Sequence, residues 1–168
     1  MFDANDSLFW RIIPLIILFI CLSVVEWSRP TRPLIRARLR RWTHNFALVV
    51  FSNFVLRLLF PAASVGVAWM ALQHHWGLLA SAPLIISIPL SLVLMDLAIY
   101  WQHRVMHRVP WLWRLHRVHH ADTDFDVSTG LRFHPLEILF SLAYKAIVIA
   151  ILGAPPVAVV LFEFLITA

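Results

Sequence analysis

The sequence is short of cysteine, lysine, glycine and charge. Cys21 is its one cysteine, which excludes an internal disulfide and a zinc site built on thiolates. Lys145 is its one lysine, so the positive charge is carried by arginine. Glycine occurs only four times, and no internal repeat or low-complexity segment is present, which sets aside repeat architectures. Charged residues make up 14% of the chain, against about 25% in an average soluble domain. Meanwhile 61% is hydrophobic and the mean hydropathy is +0.79. These values exclude an ordinary soluble domain and point to a membrane protein. A length of 168 residues allows one domain, 1–168. Met1 to Ser7 carries Asp3 and Asp6 and lacks the basic stretch of a cleavable signal peptide.

The apolar residues fall in segments, and a spanning helix needs about 20 of them. Leu8–Val25 is the first candidate. Residues 45–72 form a second stretch interrupted by Arg57. Its first part reads as interfacial and Leu58–Leu72 as the crossing end, with Arg57 snorkelling to the surface. Pro83–Tyr100 is a third span and Leu136–Leu152 a fourth. Gly153-Ala154-Pro155-Pro156 breaks the pattern, and Val157–Ala168 begins a further helix. The expected fold is an all-α membrane bundle with about four transmembrane helices.

A net charge of +5 can signal nucleic-acid binding. Here the arginines sit between apolar segments, which fits orientation and lipid headgroup contacts instead. Residues 28–41 hold six arginines, and Arg104, Arg108, Arg114 and Arg117 follow the third span. The loop 73–82 has no charged side chain. The positive-inside rule places both arginine-rich segments on the cytoplasmic face, and the arginine-rich composition points to a bacterial inner membrane.

Six histidines crowd the same face. His103 and His107 stand four apart, one turn of a helix. His116, His119 and His120 follow at i, i+3 and i+4, beyond a break favoured by Pro110. His134 precedes Pro135. Neutral imidazole tolerates a low-dielectric region better than a carboxylate does, and it is the commonest metal ligand. Imidazole suits zinc, copper, iron and nickel, and five or six of them allow two ions. Bis-histidine haem would want its ligands on facing helices within the membrane, which this crowding does not offer. His44, His74 and His75 read as surface residues. Asp122, Asp124, Asp126, Ser128 and Thr129 read as a solvated loop, with orientation of imidazoles as the alternative. Glu137 falls where a helix N-terminus favours a carboxylate. Trp101, Trp111 and Trp113 read as interfacial anchors.

His103-x-x-x-His107, the linker Val-Pro-Trp-Leu-Trp, His116-x-x-His119-His120 and Arg132-x-His134-Pro135 together resemble the fatty acid hydroxylase and sterol desaturase superfamily. Asp96, ahead of the first box, fits the helix that leads into it. The resemblance covers roughly Leu84–Ala168. It implies a membrane-bound non-haem di-iron oxygenase that uses O2 and two electrons from a redox protein to hydroxylate or desaturate a lipid or sterol taken from the bilayer. The ligands implied are His103, His107, His116, His119, His120 and His134, with zinc as a substitute in purified protein. Family members carry a further histidine and another His-x-x-His-His box, so the sequence is expected to be the N-terminal part of a longer enzyme. The alternatives are a non-catalytic membrane metal-binding or transport protein, or an inactive fragment. The ligand boxes leave sterol, acyl chain, sphingolipid, carotenoid and alkyl-glycerol open as substrates.

Overall fold

The computed structural model describes residues 4–30, 32–59 and 63–167, with side chains described for 13–30, 32–56 and 64–166. Helices α1 (Ala4–Ser28), α2 (Arg38–Leu59), α3 (Ala63–Gln73), α4 (Leu84–Arg108), α5 (Pro110–His116), α6 (Pro135–Leu152) and α7 (Pro156–Thr167) follow in order. Two short 3-10 segments, His119–Ala121 and Val127–Leu131, lie between α5 and α6. No strand occurs among the described residues. The all-α expectation therefore holds.

Two helices, α4 and α6, are long and apolar enough to cross a membrane. Their outward faces carry exposed Ile85, Val93 and Leu97 on α4 and Ile147 and Ile151 on α6. The crossing expected of Leu58–Leu72 lies partly outside the described residues: α2 is described as far as Leu59, and α3, of 11 residues, from Ala63. The snorkelling expected of Arg57 lies outside the described side chains.

At the centre of the bundle, α6 packs against α2, α3, α4 and α5. A core of Met95, Ile149, Leu152, Val159 and Phe162 joins α4, α6 and α7, with Ala68 of α3 beneath it. The end of α6 is fixed by a backbone fit. Gly153 caps it at φ 63, and a Cβ there would collide with the Trp76 carbonyl oxygen. The neighbouring loop donates Leu78 N–H to Ile151 O (3.0 Å) and Leu79 N–H to Leu152 O (2.8 Å). These bonds satisfy carbonyls that a helix end otherwise leaves unpaired.

At the opposite end, the connection from His120 to His134 is clamped by one buried arginine. Arg41 of α2 donates from Nε to Asp122 Oδ1, from Nη2 to Asp122 Oδ2 and from Nη1 to Asp126 Oδ2, each at 2.8 Å. It also bonds the Asp124 carbonyl. Asp124 itself accepts from the backbone N–H of Ile35 (2.9 Å) and Arg36 (3.0 Å). Asp126 caps the second 3-10 segment through Ser128 N–H (2.9 Å). Asn45 donates to Ser128 Oγ (2.9 Å), and Arg132 Nε donates to Val118 O (2.8 Å). Asp124, Asp126, Ser128 and Thr129 are buried. The solvated-loop reading of these residues is thus overturned, because their carboxylates neutralise an arginine from a distant segment. Nor do they orient imidazoles: no hydrogen bond joins them to a histidine among the described residues.

Burial opposes ionisation of Asp122, but the bonds from Arg41 and Asn45 and the Arg41 charge hold its carboxyl well below the usual range. Asp124 is held low by the Ile35 N–H, against burial, and by Arg36 N–H and the Arg41 charge. Both carboxyls bind protons less readily folded than unfolded. They therefore stabilise the fold above the ordinary carboxyl pKa of about 4, and that contribution is lost as pH falls below it. The thermal midpoint in detergent is expected to hold between pH 7 and pH 5 and to drop steeply toward pH 3. Arg41→Met leaves buried carboxylates uncompensated and is expected to cost about 3–5 kcal/mol at pH 7. A wild-type midpoint that ignores acid would refute the clamp.

Candidate metal centre

The third predicted span runs on as expected, since α4 continues from the apolar segment to Arg108 and carries His103 and His107 out on its last turns. Val109 is extended (φ −92, ψ 117) and Pro110 starts α5, so the chain turns sharply between the two histidine pairs. Helix α5 and the 3-10 segment then return His116 and His120 toward His103 and His107. One nitrogen from each of these four rings lies within 4.8 Å of the others. Within the group, His103 Nε2 is 3.1 Å from His107 Nε2, and His116 Nε2 is 3.1 Å from His120 Nε2.

This donor set fits a metal ion. Facing imidazole nitrogens repel unless one carries a proton, and a cation among them accepts every lone pair. Ligands of a tetrahedral ion with bonds of about 2.0–2.1 Å stand about 3.3 Å apart, close to the 3.1 Å pairs. Burial, then the neighbouring His120 and His107, push the His116 imidazole down to about 4. His119 is lowered by burial, then by His120 and His116. Both are neutral at pH 7, the form that binds metal.

The six histidines do not all converge. His119 sits beside the cluster, stacked on Phe133 with ring centroids 4.6 Å apart, and its Nδ1 is buried with no partner among the described residues. His134 caps α6, its Nδ1 accepting from the Leu136 N–H at 3.2 Å. His44, His74 and His75 are exposed, as expected. Trp101, Trp111 and Trp113 are exposed too, and Trp113 has a second contact. Its ring packs 5.1 Å from His107 and 5.7 Å from His120, covering one side of the cluster.

Glu137 is the residue whose role sequence reasoning missed. It does stand in the first turn of α6, yet it is only 3% exposed, and its Oε1 lies 2.6 Å from His116 Nδ1. Such a carboxylate fixes the tautomer, so that Nδ1 carries the proton and Nε2 faces the cluster. The partners are 21 positions apart, and no local periodicity links them.

Beneath the cluster a cavity of about 390 Å³ opens between α4, α6 and α7. Ile99, Met106, Ile138 and Leu142 form apolar walls, while His103, His116, His119 and Glu137 line the histidine end. Glu137→Gln keeps the shape but removes the carboxylate charge, and metal affinity is expected to fall about 10–100-fold. Titration of the purified protein with a divalent ion checks this, and unchanged affinity would show that Glu137 does not orient His116.

Residues 88–168 match the family described as fatty acid hydroxylase. Over 97 residues the chain is 35% identical to the ornithine lipid hydroxylase OlsE of Rhizobium tropici, a match covering 57% of this chain and 29% of that protein. It is 41% identical over 46 residues to alkylglycerol monooxygenase of Homo sapiens and 37% over 46 to that of Xenopus tropicalis. Each of these covers 27% of this chain and 10% of the relative. The chain thus spans less than a third of the curated relatives it matches. No solved structure matches it. The match over residues 88–168, which carry His103, His107, His116, His119, His120 and His134, together with these relatives supports the fatty acid hydroxylase superfamily.

Proposed function

We propose that this chain is the histidine-bearing part of a membrane-bound non-haem di-iron oxygenase that hydroxylates, or desaturates, a lipid or sterol. The observation that carries this reading is the set of four convergent imidazoles at the mouth of a largely apolar cavity, between two helices of membrane-spanning length. The relatives' names, a lipid hydroxylase and an alkylglycerol monooxygenase, point to the same chemistry.

His103, His107, His116 and His120 would hold one iron, and His119 and His134 would contribute to a second. Bound iron would supply the activation of O2, with two electrons from a redox protein. The chain's own residues do the rest. Glu137 keeps His116 in one tautomer. Apolar side chains of α4 and α6 keep water from the reacting carbon and let a lipid enter from the bilayer. Topologically, we place the protein as a multi-pass chain of about four crossings in a bacterial inner membrane. The arginine-rich segments and the histidines then face the cytoplasm, within reach of the electron donor. A transport role would call for metal-binding side chains along a path through the membrane, whereas the histidines cluster at one end.

The test is metal content and lipid oxidation by detergent-purified protein, with His116→Ala and His120→Ala as controls. Iron bound by the wild type and lost in both variants, with O2-dependent addition of oxygen to membrane lipid extract, is the expected result. Metal binding indifferent to these substitutions would overturn the reading. Iron binding without lipid oxidation when a reductant is supplied would favour a non-catalytic metal protein.

A further inference from the structure

The cavity is not uniformly apolar. Glu137, Ser141 and Lys145 stand at four-residue steps on one face of α6 and all line it. They form a polar stripe about 12 Å long running from the histidines into the apolar span. Facing this stripe, Gln102 of α4 bonds Ser141 through one end of its amide. Glu163 of α7 accepts from Lys145 at 3.0 Å. Polar groups in an apolar bundle are costly unless partnered. Two of these are incompletely so: the remaining oxygens of Gln102 (Oε1) and Glu137 (Oε2) are buried without a partner among the described residues. Both side chains are more than nine-tenths buried, and both line the cavity.

We propose that this stripe is a binding subsite for the hydroxyl-bearing head of a lipid. The lipid then enters head first, and the carbon presented to the histidines lies near its head rather than far along its tail. A hydroxyl matches the wall because it can donate its one hydrogen to the unpartnered oxygen of Gln102 or of Glu137, or accept from the Lys145 ammonium farther along the stripe. A protonated lipid amine meets the same acceptors but has no lone pair to accept from Lys145, and a bare hydrocarbon leaves every polar group unsatisfied. The choice of substrate rests on the oxygenase reading, while the binding itself does not.

The test therefore uses metal-free protein. Displacement of the fluorophore 1-aminoanthracene by 1-dodecanol, dodecylamine and dodecane is measured in one detergent and corrected for micelle partition. Dodecanol is expected to bind about tenfold tighter than dodecane, with dodecylamine between them. Gln102→Leu, and separately the pair Lys145→Met with Glu163→Leu, are each expected to bring the alcohol close to the hydrocarbon, with dodecane bound no more weakly than by the wild type. Two independent variants keep the test decisive if one fails to fold, which helicity and thermal melting report. Equal binding of dodecanol and dodecane by the wild type would overturn the subsite. So would a preference that survives in both variants, or an amine that outbinds the alcohol. Because no metal is present, loss of the subsite and loss of the oxygenase reading are separate outcomes.

Discussion

The placement of the histidines depends on Arg41. Three carboxylates within five residues, Asp122, Asp124 and Asp126, could not be packed together without a cation to offset their charge. The guanidinium meets Asp122 through two nitrogens and Asp126 through the third, a planar fork that lysine cannot reproduce. This clamp ties the chain between His120 and His134 to the start of α2, and Glu26 extends it by accepting the Val127 N–H at 3.1 Å. The segment is thereby held at both ends of its length. His120 returns to the cluster, and His134 sets the start of α6 and with it the position of Glu137. An ion pair between residues some 80 positions apart thus governs the distance from an imidazole to its carboxylate.

Much of this was legible from local pattern. The i, i+4 spacing of His103 and His107, the break at Pro110 and the return of the second box follow from helix geometry and proline stereochemistry alone. So do the extents of α4 and α6, because apolar runs bounded by Pro83, Pro135 and Gly153 admit few alternatives. What was not legible is long-range pairing. Asp122, Asp124 and Asp126 look like a solvated loop because nothing nearby in sequence neutralises them. Arg41 looks like one more orientation charge because five other arginines surround it between residues 28 and 41. Glu137 was visible as a first-turn carboxylate, but its partner His116 lies across a turn, two 3-10 segments and a clamp.

The second histidine box shows where local spacing misleads. Positions i, i+3 and i+4 promise three imidazoles on one helical face, yet α5 ends at His116 and His119 begins a 3-10 segment. The tighter winding carries His120 back to 3.1 Å from His116 while turning His119 against Phe133. Four histidines converge where six were expected. The two that stand apart are held by packing against Phe133 and by the α6 cap.

The cavity and the cluster meet at Glu137, and this joins recognition to chemistry. One of its oxygens holds the His116 ring, while the other is buried in the cavity wall without a partner. A ligand that bonds the second oxygen draws on the electron density that fixes the imidazole, so filling the cavity alters how firmly His116 is oriented. An apolar chain passing the same point would leave that carboxylate unsatisfied and desolvated, a cost of roughly 1–3 kcal/mol or more for a charged group. The same residue that steadies the metal ligand therefore penalises a purely hydrocarbon occupant. Selectivity for a polar head follows from the need to place a carboxylate behind His116 within an otherwise apolar bundle.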